Sequence, residues 1–402
     1  MTTRFLRPLA MLTSSAFVLA GCRLGLHHGL THTPQQASVR SAPASTPTTE
    51  AQAPPASSQG SGPGASKPPL LGIIDMGAQN SYQEDQPFPT IDMSPLDGYA
   101  GAFAGVVVNE AWQQLEPHPG VYDWTDLDNS LAAVSAWNAQ HPSTPVGVKL
   151  RVFAGYSAPS WVTSQSGTVT EDVHGVTVQI GRWWTPSFES AWRSFQLALG
   201  AAFDSNPLIR QVSVSSCSSS TGEPFVVSGA LVSQRNLQAA GWTPALQYAC
   251  LQQALGDYAN WKTTPVTFAM NVLPGAIGSQ GPNVNAMDTI ATACAQSKTS
   301  GGPTCIIGNN DLSPDISSTA ASGPLVQEIQ TLYSEGVNPT VYFQTSGAPL
   351  TCSTIAMGLQ YHAQSIEVWS PNGRGKGFTV IPPGTLASWN NALKSGATSL
   401  AC

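Results

Sequence analysis

The 402-residue chain carries 16 Lys and Arg against 23 Asp and Glu, so charged residues make up only 10% of it, well below the ~25% of an ordinary soluble domain. With 41% hydrophobic residues and 11 Trp it has material for a large core, which excludes a mainly disordered protein. A formal net charge of −7 with no Lys/Arg run excludes a surface built to neutralise phosphates, so nucleic acid is not an expected partner.

The first 22 residues read MTTRFLRPLAMLTSSAFVLAGC. Arg4 and Arg7 form a positive start, and a short apolar stretch runs from Leu9 to Ala20. This is the pattern of an export signal, shorter than the ~20 apolar residues of a membrane-spanning helix. Leu19-Ala20-Gly21-Cys22 resembles the bacterial lipobox. The expectation is a signal peptide over 1–21 and a lipidated Cys22 that holds the protein at a membrane, on the periplasmic side or at the cell surface. An ordinary secretory signal with a chance Cys is the plainer alternative. From about residue 28 to 69 the chain is mostly Pro, Ser, Ala, Thr, Gln and Gly, without Phe, Tyr or Trp. Such a segment cannot build a core, so 22–69 reads as a lipidated Cys followed by a disordered spacer.

The stretch from Leu70 to Cys402 exceeds the ~250 residues typical of a (β/α)8 barrel but falls within its range once insertions are allowed. Short apolar runs recur at Leu71–Met76, Gly105–Val108, Val146–Phe153, Ile209–Ser215, Val266–Val272, Thr304–Ile307, Thr340–Phe343 and Ser365–Trp369. Between them lie stretches of helical period. Phe188, Trp192, Phe195 and Leu199 fall on one face, as do Ala245, Tyr248, Leu251 and Leu255. Thr125–Ala139, Val284–Ala295, Pro324–Ser334, Ser353–Ala363 and Leu386–Lys394 are further helices, several opening on Ser, Thr or Pro. Only the first gap, around Pro95–Phe103, hardly reads as helical. Eight alternations predict an α/β fold, a (β/α)8 TIM barrel over 70–402. Gly167–Trp184 alternates as a β-hairpin insertion after the third strand, expected over the barrel mouth. An open doubly wound sheet is the competitor, but Gly72 and Gly77 do not form the Gly-rich turn it needs.

With Cys22 assigned to lipid, Cys217, Cys250, Cys294, Cys305, Cys352 and Cys402 remain, an even count suited to an exported protein. Pairing in chain order closes the shortest loops, although six cysteines allow about 15 connectivities. No Cys or His spacing supports a metal, no cofactor is expected, and the chain is expected to act as a monomer.

In such barrels the site is assembled past the C-terminal ends of the strands. Collecting residues there gives Asp75, Asn109, Glu110, Trp112, Arg151, Trp161, Glu223, Asn271, Asn309, Asn310, Asp311, Gln344, Glu367 and Trp369. Carboxylates and amides bond sugar hydroxyls, indoles stack on sugar rings, and glycosidic cleavage needs two opposed carboxylates. Glu223, in a Gly- and Pro-bounded turn, and Glu367, which interrupts the apolar run Ile366-Glu-Val-Trp369, form the best pair.

The segment Val106-Val-Val-Asn-Glu-Ala-Trp-Gln-Gln-Leu-Glu-Pro-His-Pro-Gly-Val-Tyr-Asp-Trp124 resembles the second-strand region of clan A glycoside hydrolases. Lys149-Leu-Arg-Val152 with Ala158-Pro-Ser-Trp161 resembles their third-strand region. Through Thr221-Gly-Glu-Pro-Phe225, Phe343-Gln-Thr345 and Ser365-Ile-Glu-Val-Trp369 the domain also resembles a group of uncharacterised bacterial proteins of the glycosidase barrel superfamily. The clan resemblance implies a carbohydrate partner and an acid/base Glu after the fourth strand. Glu223 fits that position, although Gly222 stands where the clan usually has Asn. The clan nucleophile after the seventh strand does not transfer, because Gln344 stands there. Glu367, one strand later, is the substitute, and Asp311 the runner-up.

On that reading Glu223 needs a raised pKa, supplied by burial against Trp residues, while Glu367 stays ionised and attacks the anomeric carbon or activates water. Gln344, Asn109 and Asn271 would hold hydroxyls, with Trp112, Trp161 and Trp369 as stacking platforms. Arg151 reads as an ion-pair partner, Glu110 at even odds touches substrate or turns outward, and Glu116 reads as a structural turn acid. The Ser215–Ser220 cluster lacks a GxSxG elbow, and Pro371–Gly377 lacks the phosphate-loop pattern. A carbohydrate-binding protein that has lost its nucleophile, and an envelope protein without ligand, are the rival readings.

Overall fold

The apolar runs pair edge to edge into one closed parallel barrel. The computed structural model describes residues 65–77, 88–173, 176–224, 231–271, 284–318, 323–346, 350–369 and 378–402. The export signal, Cys22 and most of the spacer lie outside the described residues, as do Phe225, Val272 and Pro371–Gly377.

In chain order the strands are β1 (Gly72–Asp75), β2 (Gly105–Ala111), β3 (Gly147–Phe153), β4 (Thr168–Val173), β5 (Val176–Gly181), β6 (Ile209–Ser213), β7 (Val266–Ala269), β8 (Cys305–Leu312), β9 (Val341–Thr345) and β10 (Ala363–Val368). The helices are α1 (Trp112–Leu115), α2 (Thr125–Gln140), α3 (Ser160–Ser166), α4 (Pro186–Phe203), α5 (Leu231–Ala239), α6 (Pro244–Asp257), α7 (Val284–Gln296), α8 (Gly323–Ser334), α9 (Cys352–Gln360) and α10 (Pro383–Lys394). The sheet closes in the order β1-β10-β9-β8-β7-β6-β3-β2, and β4 with β5 forms a separate antiparallel hairpin. This is the (β/α)8 barrel with the insertion expected after the third barrel strand, and closure removes the open-sheet alternative.

Several crossover helices begin as their sequences demand. Thr185 Oγ1 accepts from Phe188 N, Thr243 Oγ1 from Leu246 N, and Thr351 Oγ1 from Thr354 N, with Pro186 and Pro244 in the first turn of α4 and α6. Helix α9 stops at Gln360, short of the expected Ala363, because His362 takes a left-handed φ of 62° and Ala363 already opens β10. Between β1 and β2 only the 3-10 turn Ser94–Leu96 forms among the described residues. Helices α1, α3 and α5 were not expected, being too short or too polar to carry a helical stripe.

Alternation sorts each strand into two faces. Val106 and Val108, paired with Val148 and Leu150, join the large core beneath the helices, whereas Val107 joins a separate cluster with Leu70, Ile74 and Met76 inside the barrel. Lys149 and Arg151 are in register with Val107 and Asn109, so two cations share that inner face. The three disulfides are Cys217–Cys250, Cys294–Cys305 and Cys352–Cys402, the chain-order pairing.

The folded domain starts earlier than the sequence suggests. Ser66 Oγ bonds Thr304 Oγ1 at 2.8 Å, and Lys67 Nζ donates to Asn206 O, Ile209 O and Thr264 Oγ1 at 2.7 to 2.9 Å. Arg210 Nε donates to Pro68 O at 2.8 Å. These partners lie at or before the starting ends of β6, β7 and β8, opposite the mouth.

Closure at β1 depends on one amide. Asn390 of α10 accepts from Ile73 N at 2.8 Å and donates to Gly101 O at 2.9 Å. Gly72 makes room for it: its φ is +122°, and a Cβ there would stand 2.0 Å from Asn390 Oδ1. Asn390→Ala should therefore leave a buried backbone N–H unpaired and lower the unfolding free energy by ~1–3 kcal/mol, read from the urea midpoint, and Gly72→Ala should do at least as much harm.

Candidate active site

Six side chains from β3, β8, β9, β10 and the loop after β6 converge inside the barrel. Arg151 Nη2 donates to Glu223 Oε1 at 2.9 Å and to Glu367 Oε2 at 2.6 Å. Because both oxygens share one nitrogen, they are no farther apart than those two bonds laid end to end. That bound is shorter than the ~6.5–9.5 Å at which a water fits between two opposed carboxylates. Lys149 Nζ donates to Glu367 Oε1 and lies 3.4 Å from Glu223 Oε1. Tyr342 Oη donates to Glu223 Oε1 at 3.0 Å, Asn310 Nδ2 donates to Glu223 Oε2, and Lys149 Nζ sits 3.8 Å above the Tyr342 ring centroid.

Each group reaches the centre for a local reason. Lys149 and Arg151 are two residues apart on one strand, so both point inward. Gln344 is in register with Glu367, and Asn109 with Arg151. Glycine makes the remaining space. A Cβ on Gly222 would lie 2.4 Å from Arg151 Cγ, which explains why no Asn stands there, and one on Gly308 would lie 1.9 Å from the Tyr342 ring.

Glu223 and Glu367 are both buried, at 3% and 0% exposure. Burial pushes the Glu223 carboxyl up, but Arg151, Lys149, Asn310 and Tyr342 together hold it below the ordinary carboxylate range. This corrects the expectation of a raised value: the surroundings are cations and donors, with no Trp among these contacts. Arg151 is held more firmly charged, its burial being outweighed by Glu223 and Glu367. Burial and the two carboxylates push the Tyr342 hydroxyl well above its usual value, so it remains a donor.

Other expected site residues fall elsewhere. Glu110 is a correction: register with Val152 puts it on the helix-facing side of β2, where burial and then Asp126 push its carboxyl up to about 8. Trp112 is also corrected. It is fully buried, with its ring centroid 5.0 Å from Trp192 and 5.4 Å from Phe188, and so offers no face to a sugar. Its Nε1 donates to Glu116 Oε2 at 2.9 Å, Gly120 N donates to Glu116 Oε1 at 2.9 Å, and Trp161 Nε1 donates to Glu116 O at 3.2 Å. Glu116 thus ties the turn together, while Trp161 is half-buried edge-on to Trp112. Trp369 is partly buried against the inner cluster, and its Nε1 donates to Thr345 O at 2.9 Å. Asn271 Oδ1 accepts from Asn310 N at 3.3 Å, which links it to the centre. Half-buried Asp311 lies at the end of β8 where the register with β9 shifts, and its neighbour Asn310 supplies the contact to Glu223.

Sequence reasoning missed Lys149 and Tyr342 as site residues, and it placed Asn310 at its strand end without a role. The alternation Lys-x-Arg within an apolar strand was the available signal, since it aims two cations at one point and demands acids to meet them. Among the described residues no cluster of three His, Cys, Asp or Glu could hold a metal, and no helix is long and apolar enough to cross a membrane.

No protein-family model matches the chain, and a search of curated proteins finds no match. Among solved structures, endo-glycoceramidase II from Rhodococcus sp. with a five-membered iminocyclitol is similar at 16% identity and a TM-score of 0.44, covering 76% of this chain and 74% of that one. The same enzyme in its ganglioside GM3 complex is similar at 16% identity and 0.43 over the same shares. At these scores the likeness carries no weight here, and the barrel rests on its own strand pairing.

Removing one charge from the centre strands another. Lys149→Met should cost ~3–5 kcal/mol of stability, and a Lys149→Met, Glu367→Met pair much less, in a urea double-mutant cycle.

Proposed function

We propose that the protein is a glycoside hydrolase acting on an oligo- or polysaccharide by a two-carboxylate, retaining mechanism. The observation that carries this reading is the sharing of one Arg151 nitrogen by Glu223 and Glu367, which sets two carboxylates from opposite parts of the barrel at the spacing that chemistry requires. Glu367, ion-paired with Lys149 and Arg151, attacks the anomeric carbon. Glu223 protonates the departing glycosidic oxygen and then, as a base, takes the proton of the water that releases the sugar. In this reading Gln344, Asn109 and Asn271 bond hydroxyls, and Trp369, packed against the inner cluster, offers the stacking face.

The charge state of Glu223 sets the pH dependence. A carboxyl held below its usual range carries a proton only in acid, so kcat/KM should rise as pH falls below neutrality. Glu367→Gln should abolish turnover while leaving sugar binding measurable. Glu223→Gln should slow natural glycosides by ~10²–10⁴-fold and spare aryl glycosides whose leaving group needs no proton. Reducing-sugar release from a glycan panel checks both variants.

A second reading has its own observations. Lys149 and Arg151 neutralise both carboxylates, and Gln344 stands where the resemblance would put the nucleophile, as expected of a carbohydrate-binding protein without turnover. Wild-type protein that binds glycans yet cleaves none of them would establish it.

We further propose that the protein is exported and lipid-anchored through Cys22. Three disulfide bridges suit an oxidising compartment, and the N-terminal pattern supplies the signal. Labelled palmitate should enter the wild-type chain in cells and not Cys22→Ser.

A further inference from the structure

One buried acid has no part in the centre just described. Glu171 lies on β4 in an alternating strand, between Val169 on the same face and Val178 across the hairpin, and it is 0% exposed. Its strand neighbours are the apolar inner face of the insertion, yet neither of its carboxyl oxygens meets an ordinary hydrogen-bond partner. A carboxylate in such a place would be costly, whereas a neutral acid is tolerated.

What Glu171 faces gives it significance. The base of the hairpin is fastened to the segment after β3, with Gly181 N donating to Gly155 O at 3.2 Å. Gly155 in turn lies flat against the loop that carries Glu223. A Cβ there would stand 2.0 Å from Ser219 O and 2.3 Å from Ser218 O, and Tyr156 N donates to Ser219 O at 3.0 Å. Glu171 reaches the same place from the hairpin side, with the Ser219 hydroxyl as the one group that favours its charged form. On its outer edge β4 is held by α5, where Ser233 Oγ accepts from Asp172 N at 2.9 Å and Asn236 Nδ2 donates to Thr170 O at 2.8 Å.

We propose that Glu171 is a proton-controlled latch, which while neutral seats the hairpin on the Ser218–Glu223 loop and on ionising releases it. Charged groups on the surrounding elements do not offset that ionisation. Strand β5 has none, Arg182 just beyond it is spent on Thr168 O at the exposed base of the hairpin, Asp172 alternates to the opposite face of β4, α5 offers only the exposed Arg235, and the loop offers Glu223, itself held by Arg151 and Lys149. Burial pushes the Glu171 carboxyl up to about 8, so opening, which lets the acid ionise in water, becomes steadily more favourable as pH rises toward 8 and no more so beyond it. The latch does not depend on turnover at the mouth.

Hydrogen exchange of the full-length protein tests it through peptides spanning 168–181 and 215–224, corrected for the intrinsic pH dependence of exchange. Loss of one proton on opening predicts that exchange in both peptides rises by up to about tenfold per pH unit between about pH 5 and pH 8 in the wild type and levels off above it. Glu171→Gln, neutral at every pH and of the same shape, should keep both peptides protected and flat. A wild-type profile without the rise, or an equal rise in Glu171→Gln, would overturn the proposal.

Discussion

The centre of this barrel is held by two cations wedged between two carboxylates. Lys149 and Arg151 lie on one face of one strand, Glu223 comes to them from the loop after the neighbouring strand β6, and Glu367 comes from β10 across the barrel. None of the four could be buried alone, since an isolated ion inside protein is many kcal/mol less stable than in water. Each therefore requires the other three. Much else in the interior follows from this: Gly222 and Gly308 leave room for Arg151 and Tyr342, and Asn310 and Tyr342 fill the remaining lone pairs of Glu223.

The same arrangement sets what the site can do. Electrostatic stabilisation that fixes a nucleophile also deprives a neighbouring acid of its proton. Glu223 is thus poorly disposed to donate a proton at neutral pH, and only a lower pH or a group that displaces Arg151 would change that.

Much of this was legible in the chain. Eight β-branched runs separated by helical stripes specify a parallel barrel because period and length together leave few alternatives. An acid inside Ile366-Glu-Val-Trp369 could be placed inward because a lone carboxylate in an apolar strand needs a reason. Lys149 escaped because a lysine near a strand start ordinarily reads as a solvent-facing end, and only register with Val107 shows otherwise. Trp112 misled for the opposite reason. An indole just past a strand end can face a sugar or the helices, and the two differ by a rotation that no local pattern records. Glu110 illustrates the general limit, since one residue of register separates a site acid from a core acid.

The chain enters the domain at the closed end of the barrel. Lys67 and Pro68 fasten it to Asn206, Ile209, Thr264 and Arg210 at the strands' beginnings, with the ammonium of Lys67 half-buried among carbonyls. A pull along the N-terminal segment would therefore be borne by the floor of the barrel, where β6 and β7 begin, and spread into the sheet. The loop bearing Glu223 and the end of β10 bearing Glu367 lie at the other pole and carry none of that load directly. Tension applied at Lys67 and Pro68 would therefore leave the spacing of the two carboxylates fixed.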